Sequence, residues 1–515
     1  MSLAARAGRA IAWGQAGRLA EAGIYFLFYL FLARALGPAN YGQFALGLSL
    51  AGACGFLALF GLGPETLGRF VPEIAAAGGR RALRKSLAGL LGLRAAAIGM
   101  VSALLFALRL PIAAGLRFPL AGAALALVAA VFATRSILDL ATYFSAGLLE
   151  LRRVALAKTC AAFATPAAFL ALAAAGRAGI RAAWLATAAG SLVGIFILFV
   201  PFWRGGASRS DSGSDSQPSS VPLRRILAFG LFAWMTNFFL YVLGDNMDVL
   251  LLGWLVPDKS SVGQYAVAAR IVLSITSLLL GWVTLTSVAT MSEARQQGGA
   301  ARLADIAEAQ WKLGALCLVP PLLFLARFAR EIVGVVYSPA YAPAAPILEI
   351  LAGLMAAGVV CGFSIQGGVL YALDHERVAC AVVGSAALFN IASEIFLVRR
   401  MGAAGAAWAT GTSFVLLAAL CAAAGAAHVP FRFPAAFLGR VVAAAGIATG
   451  STLWLHPASA ASLAAAAALT AAVFFGCLAL FKPLRGSDPA GLYRVNASLG
   501  AWAERFFAAR VGAKG

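Results

Sequence analysis

The sequence predicts an all-α polytopic membrane protein with about fourteen transmembrane helices. Of its 515 residues, 62% are hydrophobic and 12% are charged, and the mean hydropathy is +0.88. One soluble core could not bury so much apolar surface. Apolar stretches of about 20 residues, the length that crosses a bilayer, recur along the chain. Stretches such as 120–131 and 461–475 are apolar on nearly every side, which excludes the alternating pattern of a transmembrane β-barrel.

The apolar stretches form two sets of six and a final pair. We predict an N-terminal six-helix lobe (1–203), a C-terminal six-helix lobe (223–425) and an extra helix pair (426–481). Residues 204–222, RGGASRSDSGSDSQPSSVP, are a predicted flexible cytoplasmic linker because their Ser-rich composition offers little that could pack. The predicted spans lie at 11–33, 41–62, 86–108, 120–148, 154–176, 180–203, 226–252, 263–288, 310–328, 345–371, 377–398, 403–425, 435–455 and 460–481.

The two six-helix sets resemble each other in sequence. The motif GQFA at 42–45 matches GQYA at 263–266, and each opens the second span of its set. Arg153 and Arg377 are separated by 377 − 153 = 224 residues, and Trp184 and Trp408 by the same 408 − 184 = 224. Matching order and offset indicate two halves in parallel orientation. Repeats of this kind are common in transporters, whose substrate site lies at the repeat interface.

The charge pattern predicts the orientation in the membrane. The net charge is +20, but no soluble domain is long enough to present a basic face to nucleic acid. About 26 of the Lys and Arg residues fall on one side of the predicted spans and about 10 on the other, so the positive-inside rule makes the richer side cytoplasmic. Both termini then lie in the cytoplasm. The C-terminal segment 482–515 is a predicted cytoplasmic tail, either an amphipathic helix on the inner leaflet or a disordered segment.

Two neighbouring stretches carry a family resemblance. LARALGPANYGQFALGLSL begins at Leu32, and GLGPETLGRFVPE ends at Glu73. We interpret 34–41 as a tight outer turn and 69–73 as the cytoplasmic exit of the second span. The pair resembles the N-terminal signature of the Wzx-like oligosaccharide flippases, the polysaccharide biosynthesis proteins of the multidrug/oligosaccharidyl-lipid/polysaccharide (MOP) exporter superfamily. The two halves and the extra pair extend that resemblance over nearly the whole chain.

The resemblance implies a V-shaped, MATE-like arrangement of the two halves that works by alternating access. It implies an inner-membrane protein that moves an oligosaccharide linked to undecaprenyl diphosphate from the cytoplasmic to the periplasmic face, for O-antigen, capsule or exopolysaccharide assembly. Membrane lipids, a polysaccharide polymerase and a chain-length regulator are the implied partners. No enzymatic activity, metal or cofactor is expected beyond a coupling ion, H⁺ or Na⁺.

Charged residues inside the predicted spans are the candidate site. Each ionised side chain at a helix centre costs about 2.5–3.5 kcal/mol on insertion scales, so these residues should face a hydrated cavity. The predicted substrate-binding set is Arg18, Glu21, Arg94, Arg135 and Arg270. Of these, the arginines at 18, 135 and 270 are predicted to engage a diphosphate or acidic sugars, because guanidinium is a bidentate donor to phosphate oxygens.

Three acids are candidates for ion coupling. Asp139 lies one turn after Arg135, and the pair either neutralises itself or serves the transport path. Asp245 and Asp248 share one face of the seventh predicted span. Two acids on one face repel, so they carry a proton, await a cation, or lie at the outer interface.

Four charges at the inner face are candidate gate residues. Arg69, Glu73, Glu293 and Arg295 occupy similar positions in the two halves. They either form salt bridges that open and close during transport or set the topology.

Seven cysteines without CxxC spacing and three separated histidines support neither a disulfide framework nor a zinc site. The rival functions are a lipid II flippase or a multidrug exporter of the same superfamily and, from another class, a polysaccharide polymerase or glycosyltransferase. The last would need a large catalytic loop.

Overall fold

The computed structural model describes residues 3–117, 123–148, 150–204, 223–365, 368–430 and 433–481. These ranges are helical throughout, with turns between the helices and no strand, so the predicted all-α class is confirmed. Most of the Ser-rich linker (from residue 205 on) and all of the predicted tail, 482–515, lie outside the described residues. Contacts divide the chain into two compact units, Met1–Gly263 and Gln264–Gly515. The lobes defined by the sequence repeat stay a prediction.

The first unit contains eight helices among its described residues. They are α1 (Leu3–Leu59), α2 (Pro64–Ala107), α3 (Arg109–Leu116), α4 (Ala123–Gly147), α5 (Leu151–Ala174), α6 (Ile180–Arg204), α7 (Leu223–Val242) and α8 (Asp245–Leu255). Helices α1, α2, α4, α5 and α6 pack against one another, and α7 and α8 pack against α2 and α1.

The second unit continues from α9, whose first residues still belong to the first unit. Its helices are α9 (Lys259–Arg327), α10 (Ala329–Ile332), α11 (Ala344–Val360), α12 (Gly368–Ala372), α13 (Glu376–Met401), α14 (Ala403–Ala426), α15 (Ala435–Gly450) and α16 (Ala460–Phe481). A π-helical turn, Val333–Tyr337, and two short 3₁₀ turns, Pro339–Tyr341 and Phe363–Ile365, connect them. Helices α11, α13 and α14 form the core of this unit, and α15 packs on α16.

Within the described residues, eleven helices are long and apolar enough to cross a membrane, or twelve when the bent pair α11 and α12 counts as one span. The chain is therefore a multi-pass membrane protein. The predicted number of fourteen is not confirmed. Helix α15, with 16 residues, is apolar but shorter than a full span.

Several predicted boundaries differ from the structure. The first two predicted spans both lie in α1, which consists of two helical segments that meet at a break at Gly37 (φ 71°). A positive φ has a low conformational free-energy cost only for glycine. The predicted outer turn, 34–41, is therefore reduced to a break at Gly37. The eighth and ninth predicted spans likewise share α9, which breaks at Gly298 and at Gly299 (φ 66°).

Two further boundaries were wrong. Residues 69–73 are not the exit of the second span, because α1 ends at Leu59 and α2 begins at Pro64. Gly63 precedes α2, and proline suits the first helical position, where no amide donor is needed. The seventh predicted span, 226–252, is not continuous, because the chain breaks between α7 and α8 at Gly244.

Candidate functional site

The site begins with a close crossing of α1 and α5. A Cβ on Gly17 would collide with Ala155, its nearest backbone atom lying 2.8 Å away. One turn further along each helix, Glu21 and Lys158 face each other, and the Lys158 ammonium lies 3.5 Å from both carboxylate oxygens of Glu21. Both side chains are half-buried. The crossing thus places an ion pair within two membrane-spanning helices.

Helix α4 adds a second acid and an arginine to this pair. Asp139 lies within electrostatic range of Lys158, Arg135 and Glu21, with Lys158 its strongest charged neighbour. Arg135 donates a hydrogen bond to the hydroxyl of Tyr29 on α1. Lys158 therefore pairs with Glu21 and also lies within electrostatic range of Asp139.

Arg94 on α2 completes the group and also has a structural role. Its side chain is buried, with 1% of its surface exposed. Its Nη1 donates to the carbonyl of Ala58 (2.9 Å) and its Nη2 to that of Leu62 (3.0 Å). These carbonyls lie at the C-terminal end of α1, where helix carbonyls lack partners and attract cations. Arg94 thus joins α2 to the end of α1 and lies within range of Asp139.

We call Glu21, Arg94, Arg135, Asp139 and Lys158 the ionic cluster. Each member lies at least seven residues from the nearer end of its apolar span, which is about 10 Å of helix. The cluster therefore lies within the hydrocarbon layer. Three cations and two acids leave a net charge of 3 − 2 = +1 in this group.

The other two predicted arginines, Arg18 and Arg270, are not members of the ionic cluster. Arg18 is exposed on α1, one turn before Glu21. Arg270 is half-buried on α9 in the second unit. The structure therefore brings together three of the five predicted substrate-binding residues, Glu21, Arg94 and Arg135.

The acidic pair of the seventh predicted span begins α8. Asp245 is half-buried and Asp248 is fully buried, both in the first turn of this helix. A helix N-terminus favours negative charge, so this position offsets part of the repulsion between them. Next to Asp245, the amide oxygen of Asn246 accepts a hydrogen bond from Ser49 of α1 at 3.3 Å.

Two predicted gate residues make contacts between α2 and α7. The Glu73 carboxylate pairs with Arg225 at 2.9 Å. The Arg69 guanidinium lies over the ring of Phe229, 4.7 Å from its centroid, a cation–π geometry. Ile226 of α7 packs in an apolar cluster with residues of α2, including Phe70. We call the Glu73–Arg225 and Arg69–Phe229 contacts the inner latch.

The two gate residues of the second unit have local partners instead. Glu293 accepts a hydrogen bond from Gln297, one turn later, at 2.7 Å. Arg295 pairs with Asp374 at 2.9 Å and donates to the carbonyl of Ala372. These contacts hold the connection between α12 and α13. The described contacts do not pair the four predicted gate residues with one another.

The comparisons with known proteins can now be set beside this geometry. The family model described as "Polysaccharide biosynthesis protein" matches residues 7–295, more than half of the chain. The chain belongs to the polysaccharide biosynthesis protein family. The predicted family is thereby confirmed, and the matched range contains the ionic cluster and the inner latch.

A curated relative is the probable low-salt glycan biosynthesis flippase Agl15 of Haloferax volcanii. It is 27% identical over 196 residues, which are 38% of this chain and 40% of the relative. The chain thus matches less than half of the length of this relative.

Two solved structures share the fold of this family member. One is the lipid II flippase MurJ in an inward closed conformation, with a TM-score of 0.69 at 14% identity, over 92% of this chain and 98% of that one. The other is an inward-facing MATE family multidrug transporter of the MOP superfamily, with a TM-score of 0.63 at 15% identity, over 79% and 94%. These relatives are flippases and transporters rather than enzymes, as the sequence predicted.

Sequence reasoning missed several charged or polar residues. Lys158 is a charged residue in an apolar span of α5. Arg225 is not distinguished in the sequence from the other basic residues, since its partner Glu73 lies 152 residues away. In the second unit, Asn390 and Glu394 are fully buried one turn apart on α13. For Lys158 and Glu394, the available sequence signal was a charged residue inside an apolar helix.

The histidines and cysteines have mainly structural surroundings. His375 and His428 are 53 residues apart in the sequence (428 − 375), but their rings stack with centroids 4.3 Å apart. All seven cysteines are free thiols. Among the described residues, no group of three or more His, Cys, Asp or Glu side chains could hold a metal ion.

Proposed function

We propose that this polysaccharide biosynthesis protein is a flippase for lipid-linked oligosaccharide. It would move a glycan carried on undecaprenyl diphosphate from the cytoplasmic to the outer face of the bacterial inner membrane. The single observation that carries the proposal is the ionic cluster at membrane depth in a chain of this family. The predicted orientation, with both termini in the cytoplasm, sets the direction.

The charge of the cluster supports an anionic substrate. Its excess of +1 lies in low dielectric, where an unbalanced cation is costly, so a phosphate group or an acidic sugar is a suitable counter-charge. Two further cations are assigned to substrate binding: Arg18, which lies on α1 with Glu21, and Arg270 on α9.

Removal of the guanidinium groups tests this assignment. We expect the triple variant Arg18→Ala, Arg135→Ala, Arg270→Ala to lose surface glycan while it still inserts into the membrane. Single Arg→Lys changes should retain part of the export, because lysine keeps the charge but loses bidentate geometry. Surface glycan would be measured by immunoblot at matched protein level. Full export by the triple Ala variant would refute the assignment.

We further propose that export is coupled to H⁺ or Na⁺ through the cluster. Glu21 pairs with Lys158, and Asp139 lies within electrostatic range of both, so a proton or cation that binds one acid changes the charge balance around the other. The alternative coupling acids are Asp245 and Asp248. A protonophore should abolish glycan export under proton coupling, whereas removal of Na⁺ should abolish it under sodium coupling.

The inner latch is our candidate for the cytoplasmic gate. Since both charged side chains are largely solvent-exposed, the pair contributes little to stability, about 0–1 kcal/mol. We expect Glu73→Arg alone to reduce export severalfold through repulsion of Arg225. The double variant Glu73→Arg, Arg225→Glu should recover most of it. An equal loss in the swapped variant would argue that these charges only set topology.

A deletion strain tests the function itself. We expect it to lose its surface polysaccharide and to accumulate the lipid-linked precursor on the cytoplasmic leaflet, and the intact gene should restore both. Accumulation of lipid II instead would identify a peptidoglycan-precursor flippase. Shortened glycan chains without precursor accumulation would indicate a polymerase.

A further inference from the structure

Two glycines that open the repeated motifs pack directly against each other. A Cβ on Gly42 would lie 2.9 Å from the amide nitrogen of Gly263 and closer still to the carbonyl oxygen of Lys259. A Cβ on Gly263 would lie 3.0 Å from the amide nitrogen of Gly42 and closer still to the carbonyl oxygen of Pro38. The contact is reciprocal, because Gly263 and Lys259 each follow their counterpart by 221 residues (263 − 42 and 259 − 38).

Space, rather than backbone conformation, requires glycine at both positions. Neither residue has a positive φ, so alanine would be free of backbone strain there. The obstacle is the opposing main chain, which cannot rotate away as a side chain can. The start of α9 and the middle of α1 therefore approach as closely as two peptide backbones allow, in the geometry of Cα–H···O contacts. We call this contact the glycine crossing.

Local hydrogen bonds brace the chain on both sides of the glycine crossing. The Asn40 amide donates to the carbonyl of Leu36 across the break at Gly37, at 3.2 Å. On the other side, the Asp258 carboxylate accepts from the first amides of α9, at Ser260 and Ser261. The Lys259 ammonium donates to the carbonyl of Gly253, near the end of α8, at 3.0 Å. The two facing carbonyls, those of Pro38 and Lys259, thus belong to turns that are held by local hydrogen bonds.

The packing continues inward from the glycine crossing. Leu46 of α1 fills the space over Gly253, where a Cβ would collide with its side chain. Trp254 covers Gly115 of α3 in the same way. This end of the first unit is therefore closed by backbone contacts and apolar packing, in contrast to the salt bridge of the inner latch.

We propose that the glycine crossing is the outer seal of the transport path, an inference that rests on the proposed function. A backbone-to-backbone contact leaves no gap for water, and no side chain can rotate to open it. Release of a bulky glycan on the outer side then requires α1 and α9 to separate as whole helices. This requirement explains why both repeats keep glycine at the same motif position.

Cys54 is a native reporter for this seal. It lies on α1, twelve residues after Gly42, which is about 18 Å along the helix, and only 5% of it is exposed. In a full-length chain with the other six cysteines replaced by serine, we would measure its labelling by a membrane-impermeant maleimide added from the outside. We expect slow labelling with native glycines, and labelling at least roughly tenfold faster in Gly42→Val and in Gly263→Val, since a tenfold rate needs only about 1.4 kcal/mol.

Gly99→Val on α2 is the matched control, because a Cβ there meets nothing within 4 Å. Its labelling rate should equal that of the reference chain. If the valine variants do not accumulate in the membrane, Gly42→Ala and Gly263→Ala replace them, since even a methyl group collides at both positions.

The outcomes separate the seal from the function. Unchanged Cys54 labelling in alanine or valine variants that reach normal levels would overturn the seal. Faster labelling in the glycine variants, when the reference chain with native glycines itself moves no lipid-linked glycan, would keep the seal and refute the proposed function. Faster labelling together with reduced export would support both.

Discussion

Replacement of Lys158 by methionine is expected to reduce glycan export at least roughly tenfold at normal protein level. Methionine keeps most of the side-chain volume but removes the ammonium that pairs with Glu21 and lies within electrostatic range of Asp139. Loss of a charged hydrogen-bond partner costs about 1.5–3 kcal/mol, and 1.4 kcal/mol is a factor of ten. Glu21 would then lose its ion-pair partner and Asp139 one of its cationic neighbours. The charge balance on which the proposed ion coupling depends would be lost.

Three companion variants make this prediction specific. Lys158→Arg should retain part of the export, because the charge remains. The double variant Glu21→Gln, Lys158→Met should restore protein stability, since it removes both charges of the pair, yet it should not restore coupling. Arg177→Met, at an exposed position between α5 and α6, is the control and should export normally. Normal export by Lys158→Met would exclude the cluster from the transport path.

Arg94→Met is expected to act on stability rather than on substrate binding alone. The change removes both hydrogen bonds to the end of α1 and leaves the carbonyls of Ala58 and Leu62 without this donor. At about 1.5–3 kcal/mol for each bond to a charged group, the loss is roughly 3–6 kcal/mol. We expect the melting temperature of the detergent-solubilised protein to fall by roughly 5–15 °C, as measured by differential scanning fluorimetry.

The exposed Arg181 on α6 supplies the control variant, Arg181→Met, which should melt within a degree or two of the reference. The sequence-based prediction placed Arg94 in the substrate cavity. A variant that melts normally but no longer exports would favour that role over the structural one.

The helical membrane fold was predictable because its signal is local. Apolar stretches of about 20 residues and turn residues such as Gly37 and Pro38 follow directly from the composition of short windows. The repeated GQFA and GQYA motifs likewise indicated a duplicated architecture. Such short sequence windows do not reveal a helix break inside an apolar stretch. Gly244 divides α7 from α8 within the predicted span 226–252, which is apolar on both sides of the break.

The candidate site was predictable only in part, because its contacts join distant helices. The sequence shows that Glu21 and Asp139 are charges in apolar spans, but the rotation of α1 against α5 decides that Lys158 faces Glu21. That rotation is set by the close packing of Gly17 against Ala155, where any larger side chain at position 17 would collide. No local sequence pattern reveals this packing. The structural role of Arg94 was missed for the same reason, since its acceptors are main-chain carbonyls 32 and 36 residues away.

The most direct test of the whole account is a flipping assay with the purified full-length protein in proteoliposomes. Undecaprenyl-diphosphate-linked oligosaccharide would be placed in both leaflets, and a membrane-impermeant glycosidase or lectin would report its passage between them. We predict movement that depends on the protein, needs the diphosphate-linked glycan and is lost in Lys158→Met. Equal rates in protein-free vesicles, or export of small cationic drugs in place of the lipid-linked glycan, would contradict it.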